Sequence, residues 1–225
     1  MTGRIEDSYL PLSEVVYRRI RRSIILGEFP FGSSLSETEL ARKLAVSKTP
    51  VREALRRLAQ EGLVVTTPHK GAVVASLTVE DLEEIYLMRS RLESLAARFA
   101  AERLTPEDAK ALGAGVEALE VQTSAGDTGA IRQLNIRLHQ LIWRASHTTR
   151  LTQVLMNLQD YVEMSRSALL WQPRGAEVLL EEHTSIVRAV LDRDPERAEQ
   201  MIVRHIAHLL EVLRLDRRPG AGRGA

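Results

Sequence analysis

The chain has 225 residues, of which 44% are hydrophobic, with 31 Lys or Arg against 30 Asp or Glu and no cysteine. This length can bury two modest hydrophobic cores, and the lack of cysteine excludes disulfide frameworks and thiolate metal sites. No apolar run approaches the length of a membrane span, and the first residues, with Glu6 and Asp7, do not resemble a signal peptide. We therefore expect a cytoplasmic protein.

The net charge of the whole chain is close to zero, but the chain contains two segments of opposite charge. Residues 9–77 contain 11 Lys or Arg and 6 Asp or Glu, whereas residues 78–215 contain 16 and 21. A basic segment beside an acidic one is typical of a DNA-binding module joined to a module that does not bind DNA. The pattern predicts two domains with these bounds, followed by a basic, low-complexity tail at 216–225 that is predicted to be disordered.

The first predicted elements are two helices separated by a short loop. Apolar residues at helical spacing predict a helix over residues 13–26, which Gly27 ends. The next helix begins at Ser36, which forms a predicted capping box with Glu39. A tight turn after this helix leads to a third helix.

The third helix opens with hydroxyl and cationic side chains. Ser47 or Thr49 can cap it, and Pro50 suits its first turn, where a missing N–H costs little. Two short apolar runs at 63–66 and 72–75 then predict a β-hairpin. This order is that of a winged helix-turn-helix, whose second motif helix enters the DNA major groove. An ordinary amphipathic helix pair with a solvated basic face is the alternative.

Residues 35–74 resemble the GntR family of bacterial transcription regulators. The family core is close to L-x-E-x-x-L-A-x-x-L-x-V-S-R-x-P-V-R-E-A-L-x-x-L-x-x-E-G-L, followed by a P-x-x-G-x-x-V wing. Lys48 stands where the family more often has Arg, and Thr38 where some members have a DNA-contacting Arg. Because Lys lacks the bidentate fork of Arg, phosphate contact is the firmer expectation at Lys48. The resemblance implies that DNA is contacted by Ser47, Lys48, Thr49, Arg52, His69, Lys70 and Gly71. Arg52 is the principal candidate among them.

Only helical patterns follow from Thr78 onward. Thr105 and Asp194 are each followed by Pro, as at the start of many helices. The predicted fold is therefore mostly α, with a winged helix-turn-helix of three helices and a hairpin wing, then an all-α bundle of six or seven helices. The predicted bundle helices lie near 78–103, 106–122, 128–146, 149–171, 176–192 and 195–214.

Three histidines and an asparagine are candidates for a metal site in this bundle. Asn135 and His139 are four residues apart and share a helix face, while His183 and His205 lie on two other predicted helices. Three imidazoles and one oxygen donor can surround a divalent ion, and this set suits Zn²⁺ or Ni²⁺, and also Mn²⁺. On spacing alone, surface or hydrogen-bonded core histidines are the commoner explanation.

Residues 89–101 resemble the opening helix of the FCD domain, the FadR-type C-terminal domain that many GntR regulators carry. Many members have an Asp-x-x-x-His pair and two later histidines, and His139, His183 and His205 fit that pattern. The resemblance implies that these three and Asn135 bind a divalent metal at the floor of a pocket for a small organic acid. Asn135 replaces the usual Asp, so the metal is held less tightly or a bound carboxylate supplies the missing charge.

The resemblance also implies an Arg that pairs with the carboxylate of the organic acid, the effector. Arg89 is the positional candidate, because an inward-facing Arg needs an anionic partner. A structural ion pair with Glu93, four residues later, is the alternative.

Together these features predict a homodimeric, effector-responsive transcription regulator that binds double-stranded operator DNA, rather than an enzyme. Two other functions stay open at this point: a metal-free regulator that responds to fatty acyl-CoA, and a zinc-dependent hydrolase.

Overall fold

The computed structural model describes residues 11–67, 71–165 and 175–216. The chain divides between Thr78 and Val79 into two compact units. Within the described ranges the first unit holds three helices and three short strands, and the second holds six helices. The prediction of a mostly α fold is confirmed. None of the described helices is long and apolar enough to cross a membrane.

The first unit is built on three helices, α1 (Leu12–Ile25), α2 (Glu37–Leu44) and α3 (Lys48–Gln60). Helices α1 and α3 pack on each other through buried apolar residues at helical spacing. Polar contacts reinforce this pair: the Tyr17 hydroxyl donates to Glu61 at 2.6 Å, and Arg57 donates to Glu14 at 2.6 Å. Helix α3, the second helix of the predicted helix-turn-helix, is thus held along its inner side.

The turn between α2 and α3 has the compact geometry that the sequence predicted. Ala45 ends α2 in the left-handed region with φ 54°. Ser36 caps α2 by accepting a hydrogen bond from the Glu39 backbone N–H at 3.4 Å, which is one half of the predicted capping box. Ser47 occupies the N-cap position of α3 but makes no capping hydrogen bond with its side chain.

The wing is part of a three-stranded antiparallel sheet rather than a two-stranded hairpin. Its strands are β1 (Ser34–Leu35), β2 (Val64–Thr67) and β3 (Gly71–Val74), in the order β1-β3-β2. Strand β1 was not predicted, because two residues cannot show an alternating pattern; it forms through pairing of Ser34 with Val73 and of Leu35 with Ala72. The wing-tip candidates His69 and Lys70 lie outside the described residues.

The second unit is a helical bundle arranged around its first helix. Thr105 and Asp108 form a complete capping box at the second of its helices, which ends before Gly126 in the left-handed region at φ 69°. The predicted end of the fourth helix, at 171, lies outside the described residues, as does the tail beyond 216. The helices are α4 (Val79–Arg103), α5 (Pro106–Ala125), α6 (Thr128–Ala145), α7 (Thr149–Ser165), α8 (Gly175–Leu191) and α9 (Pro195–Asp216).

Helix α4 packs against four other helices of this bundle, and the inner side of its C-terminal half is made of small residues. It contacts α6, α7, α8 and α9. Ala96, Ala97, Ala100 and Ala101 are fully buried on it, so neighbouring helices can approach its backbone closely. One turn further toward the N-terminus, the same inner side carries charged groups instead.

Candidate metal centre

The three predicted metal ligands meet inside the bundle. His139 on α6, His183 on α8 and His205 on α9 are 2%, 0% and 1% exposed. One nitrogen from each ring lies within 4.8 Å of the others. The Nε2 atoms of His139 and His183 are 3.2 Å apart. Three imidazoles from separate helices thus converge on one point in the core.

Each imidazole is oriented through its other nitrogen. The Nδ1 of His139 lies 2.7 Å from Glu93 Oε2, and that of His205 lies 2.7 Å from Glu182 Oε2. The Nδ1 of His183 lies 2.8 Å from the carbonyl oxygen of Leu179, one turn earlier on α8. Hydrogen bonds of this kind fix both the rotamer and the tautomer of a histidine that binds a metal.

The protonation of the rings follows from these partners. A carbonyl oxygen or an ionised carboxylate can only accept, so each Nδ1 carries the hydrogen. Burial lowers the pKa of His139 and lowers that of His183 well below its usual value, so both rings are neutral near pH 7. The two Nε2 atoms that face each other at 3.2 Å therefore present lone pairs, which repel unless a cation lies between them.

The spacing fits a transition metal. Zinc–nitrogen bonds of about 2.0–2.1 Å place two ligand nitrogens about 2.9–3.4 Å apart in right-angled to tetrahedral geometry. The 3.2 Å separation of the His139 and His183 Nε2 atoms lies in this range. The Nε2 of His205 is buried and has no hydrogen-bond partner among the described residues. The donor set therefore suits a metal ion that prefers imidazole nitrogen.

Asn135, the predicted oxygen ligand, lies one helical turn before His139 and is buried. Its Oδ1 atom also lacks a hydrogen-bond partner within the described part of the chain. A buried, unsatisfied amide oxygen is costly, and a nearby cation would remove that cost. Asn135 therefore suits a metal site, because its neutral Oδ1 atom has no other partner in the described ranges and is available to coordinate an ion.

A buried ion pair supports the His139 side of the centre. Arg89 donates from Nε to Glu93 Oε1 at 2.6 Å, and the two side chains are 2% and 0% exposed. Trp143 Nε1 donates to Glu93 Oε2 at 3.3 Å. Burial would raise the pKa of Glu93, but the charge of Arg89 and the contact with His139 outweigh it and hold the pKa well below its usual value. The structural ion pair considered for Arg89 is therefore present.

Glu182 has the corresponding role for His205, and no sequence signal indicated it. Its second oxygen, Oε1, lies 2.8 Å from the Nδ1 of His208, so one carboxylate holds two imidazoles of α9. Burial would raise the pKa of Glu182, but its hydrogen bonds with His205 and His208 outweigh this effect and lower the pKa. His147, by contrast, is exposed and binds Asp108 at 2.9 Å.

The predicted DNA contacts that lie in described segments are grouped at one end of α3. Ser47, Lys48, Thr49 and Arg52 are all exposed there, and Gly71 is exposed at the start of β3. Arg52 is not free in this arrangement, because its guanidinium forms an ion pair with Glu37 at the start of α2. The structure thus presents hydroxyls and cations at the N-terminal end of a helix, which suits phosphate and base contacts.

Comparison with known proteins agrees with the fold. Residues 12–74 match the family model of bacterial regulatory proteins of the gntR family, and residues 84–208 match that of the FCD domain. The HTH-type transcriptional regulator YdhC of Bacillus subtilis (strain 168) is 32% identical over 92% of this chain and 93% of its own. The HTH-type transcriptional repressor RspR of Escherichia coli (strain K12) is 26% identical over 91% and 90%.

A solved structure, that of E. coli McbR/YncC, superposes with a TM-score of 0.77 at 25% identity and covers 93% of this chain and 100% of that one. Fold and matches together define a winged-helix DNA-binding regulator with a helical C-terminal unit. The chain belongs to the GntR family of bacterial transcription regulators, in the group that carries an FCD domain. Because these families and relatives are regulators, the prediction that the protein is not an enzyme is confirmed.

The Arg89–Glu93 pair gives a test of the site that does not depend on its ligand. Glu93→Gln leaves the buried Arg89 charge uncompensated, and Arg89→Met removes the partner of a buried carboxylate. We expect each change to lower the free energy of unfolding by about 3–5 kcal/mol. The double variant should lose clearly less than the sum, as measured by urea unfolding. Arg98→Met, which removes more exposed ion pairs with Glu102 on the same helix and with Glu196 and Glu199 on α9, should have a much smaller effect; additive losses would contradict the coupling.

Proposed function

We propose that this protein is a metal-dependent regulator whose bundle binds a divalent ion and a small organic acid, and that this binding controls its affinity for operator DNA. The observation that carries the proposal is the convergence of three buried imidazoles, each fixed so that Nε2 offers a lone pair to the same point. An apolar core gains nothing from such an arrangement, whereas a cation satisfies all three nitrogens at once.

The proposed ligands are His139, His183, His205 and Asn135. Zinc is the expected ion, and nickel or manganese is compatible with the same donors. None of the four proposed ligands supplies a negative charge, so the positive charge of the ion would be balanced only by carboxylates behind the ligands, such as Glu93 and Glu182. A small carboxylate effector would supply the remaining charge and would bind through the Lewis acidity of the ion.

Arg89 remains our candidate for a second contact with the effector. Its Nε is already bound to Glu93. The contact would therefore have to use its Nη groups, because a guanidinium offers five N–H donors. The alternative of a metal-free acyl-CoA sensor is less suited to this centre, since three inward lone pairs and an unsatisfied amide oxygen form a poor lining for an acyl chain.

The same geometry provides a route for regulation. The ligands come from α6, α8 and α9, and Glu93 adds α4 to the set. A ligand that binds one arrangement of these four helices better than another shifts the population toward that arrangement. If the two arrangements also differ in affinity for operator DNA, binding of the effector changes the affinity for DNA. Binding of DNA then changes the affinity for the effector by the same factor. We expect this regulation to take place in the cytoplasm.

The metal proposal is tested by His183→Ala, with His147→Ala as the matched control. His183 supplies one of three buried nitrogens, whereas His147 is exposed and bound to Asp108. We expect the wild type and His147→Ala to purify with close to one metal ion per chain by elemental analysis. His183→Ala should carry little metal and, after treatment of all proteins with a chelator, should lack the rise in melting temperature that re-added Zn²⁺ gives the wild type. Equal metal content in all three proteins would overturn the proposal.

The DNA-binding proposal is tested by Arg52→Ala. The operator is first obtained by selecting duplexes from a random library with the wild-type protein. We expect Arg52→Ala to bind the selected duplex about tenfold or more weakly by fluorescence anisotropy, because a base-contacting Arg is lost. Its melting temperature and metal content should be unchanged, since Arg52 is exposed on α3. Unchanged affinity would remove Arg52 from the DNA interface.

We further infer that the regulator is a homodimer that pairs through the outer side of α4. Leu87, Met88 and Leu95 are exposed there, at 54%, 47% and 39%. Glu84 and Arg91 are exposed on the same side and are placed symmetrically about Leu87 and Met88. If two copies of α4 pair antiparallel about a two-fold axis at this point, each Glu84 faces Arg91 of the second copy. This self-complementarity of charge favours a second copy over an unrelated partner.

Met88→Glu tests this interface, with Val121→Glu as the control. Both residues are exposed and apolar, but Val121 lies on α5. We expect Met88→Glu to behave as a monomer by analytical ultracentrifugation and Val121→Glu to remain dimeric, because only the first places a charge in the apolar contact. A dimer of unchanged strength for Met88→Glu would show that α4 is not the interface.

A further inference from the structure

The principal DNA-contact candidate, Arg52, is held by an acidic side chain from the neighbouring helix. Arg52 Nε donates to both carboxylate oxygens of Glu37, at 3.1 and 3.2 Å, and Nη2 donates to Oε2 at 2.9 Å. Glu37 is the first residue of α2, and Arg52 lies in the second turn of α3. The pair thus joins the two helices of the helix-turn-helix on their exposed side.

The contact uses only one edge of the guanidinium. Nε and one hydrogen of Nη2 are engaged by Glu37, which leaves both hydrogens of Nη1 and the second hydrogen of Nη2. One hydrogen on each terminal nitrogen then forms the end-on fork. This fork is the edge that binds guanine O6 and N7 in a bidentate contact. The Glu37 contact therefore fixes the plane of the guanidinium. It leaves free the end-on edge, which can bind a base.

The position of Glu37 is otherwise unfavourable for DNA binding. The charges of Arg52 and Lys48 both act on its carboxylate, and its pKa is lowered mainly by the hydrogen bond from Arg52. A negative charge among these cations weakens the attraction to phosphates, which supplies most of the sequence-independent affinity. The pair is exposed, so its effect on folding is small. The main effect of the Glu37–Arg52 pair is therefore expected on DNA recognition rather than on the stability of the fold.

We propose that Glu37 is the positioning residue for base readout by Arg52: it presents the end-on edge of the guanidinium to a guanine and, by its charge, disfavours binding to other sequences. The proposal rests on the proposed function, since it assumes that Arg52 meets DNA. The proposal assigns sequence specificity to an acidic residue of α2, outside α3, the helix that is expected to enter the major groove.

The test compares Glu37→Gln with Glu39→Gln. Glu39 lies two residues further along α2, is exposed, and loses the same charge on substitution. Each variant and the wild type are titrated by fluorescence anisotropy with the duplex selected by the wild type and with a scrambled duplex of the same composition, at two salt concentrations. Melting temperatures are measured first, and because both positions are on the surface we expect them to agree.

Opposite movements are expected for Glu37→Gln. Its affinity for the selected duplex should fall by about fivefold or more, because Arg52 loses its fixed orientation. Its affinity for the scrambled duplex should rise by about twofold at the lower salt, because a negative charge is removed. Glu39→Gln should change both affinities by the same small factor and leave their ratio intact. A general loss of structure would weaken both and cannot produce this pattern.

A selection repeated with Glu37→Gln and with Arg52→Lys identifies the base. Both variants should lose the preference for guanine at the same position of each half-site, because Lys keeps the charge of Arg52 but lacks its fork. An unchanged base preference in either variant would overturn the proposal, as would tighter binding of both duplexes by Glu37→Gln, which would make Glu37 a competitor of DNA. Failure of the wild type to select any sequence would instead overturn the proposed function, and this inference with it.

Discussion

The chemistry of the second unit depends on one buried carboxylate. Glu93 sits on the central helix α4 and is shared by Arg89, His139 and Trp143. It stays ionised in the core because a guanidinium pairs with it, and in that state it can only accept a hydrogen bond. This fixes the hydrogen of His139 on Nδ1 and turns the Nε2 lone pair toward the other two histidines. The metal chemistry that we propose begins with this ion pair.

Much of this protein could be predicted from its sequence because local signals were strong. The cap residue Thr105 and the turn residue Gly27 mark helix ends, and the bundle helices begin within one residue of their predicted positions. The three histidines were identified by their spacing in a known pattern, and the structure brings them together. In each case the deciding information lies within a few residues or in a family pattern.

The parts that could not be predicted depend on contacts between distant residues. Strand β1 exists only because β3 pairs with it. Glu182 is adjacent to His183 in sequence but holds His205 and His208, which lie 23 and 26 residues away on another helix. The Glu37–Arg52 contact spans 15 residues and a tight turn. No periodicity or motif reports such partners, because they follow from how helices are placed and not from how each helix forms.

The histidine acceptors divide the centre into two halves. The bond from His139 to Glu93 links α6 to α4, whereas the bond from His205 to Glu182 links α9 to α8, and His183 is held within α8 itself. A metal ion bound by all three imidazoles would join these halves by coordinate bonds. The ion would then be a removable cross-link of the bundle as well as a binding site: it would tie α6 to α8 and α9 by coordinate bonds, in addition to the packing of all three helices on α4.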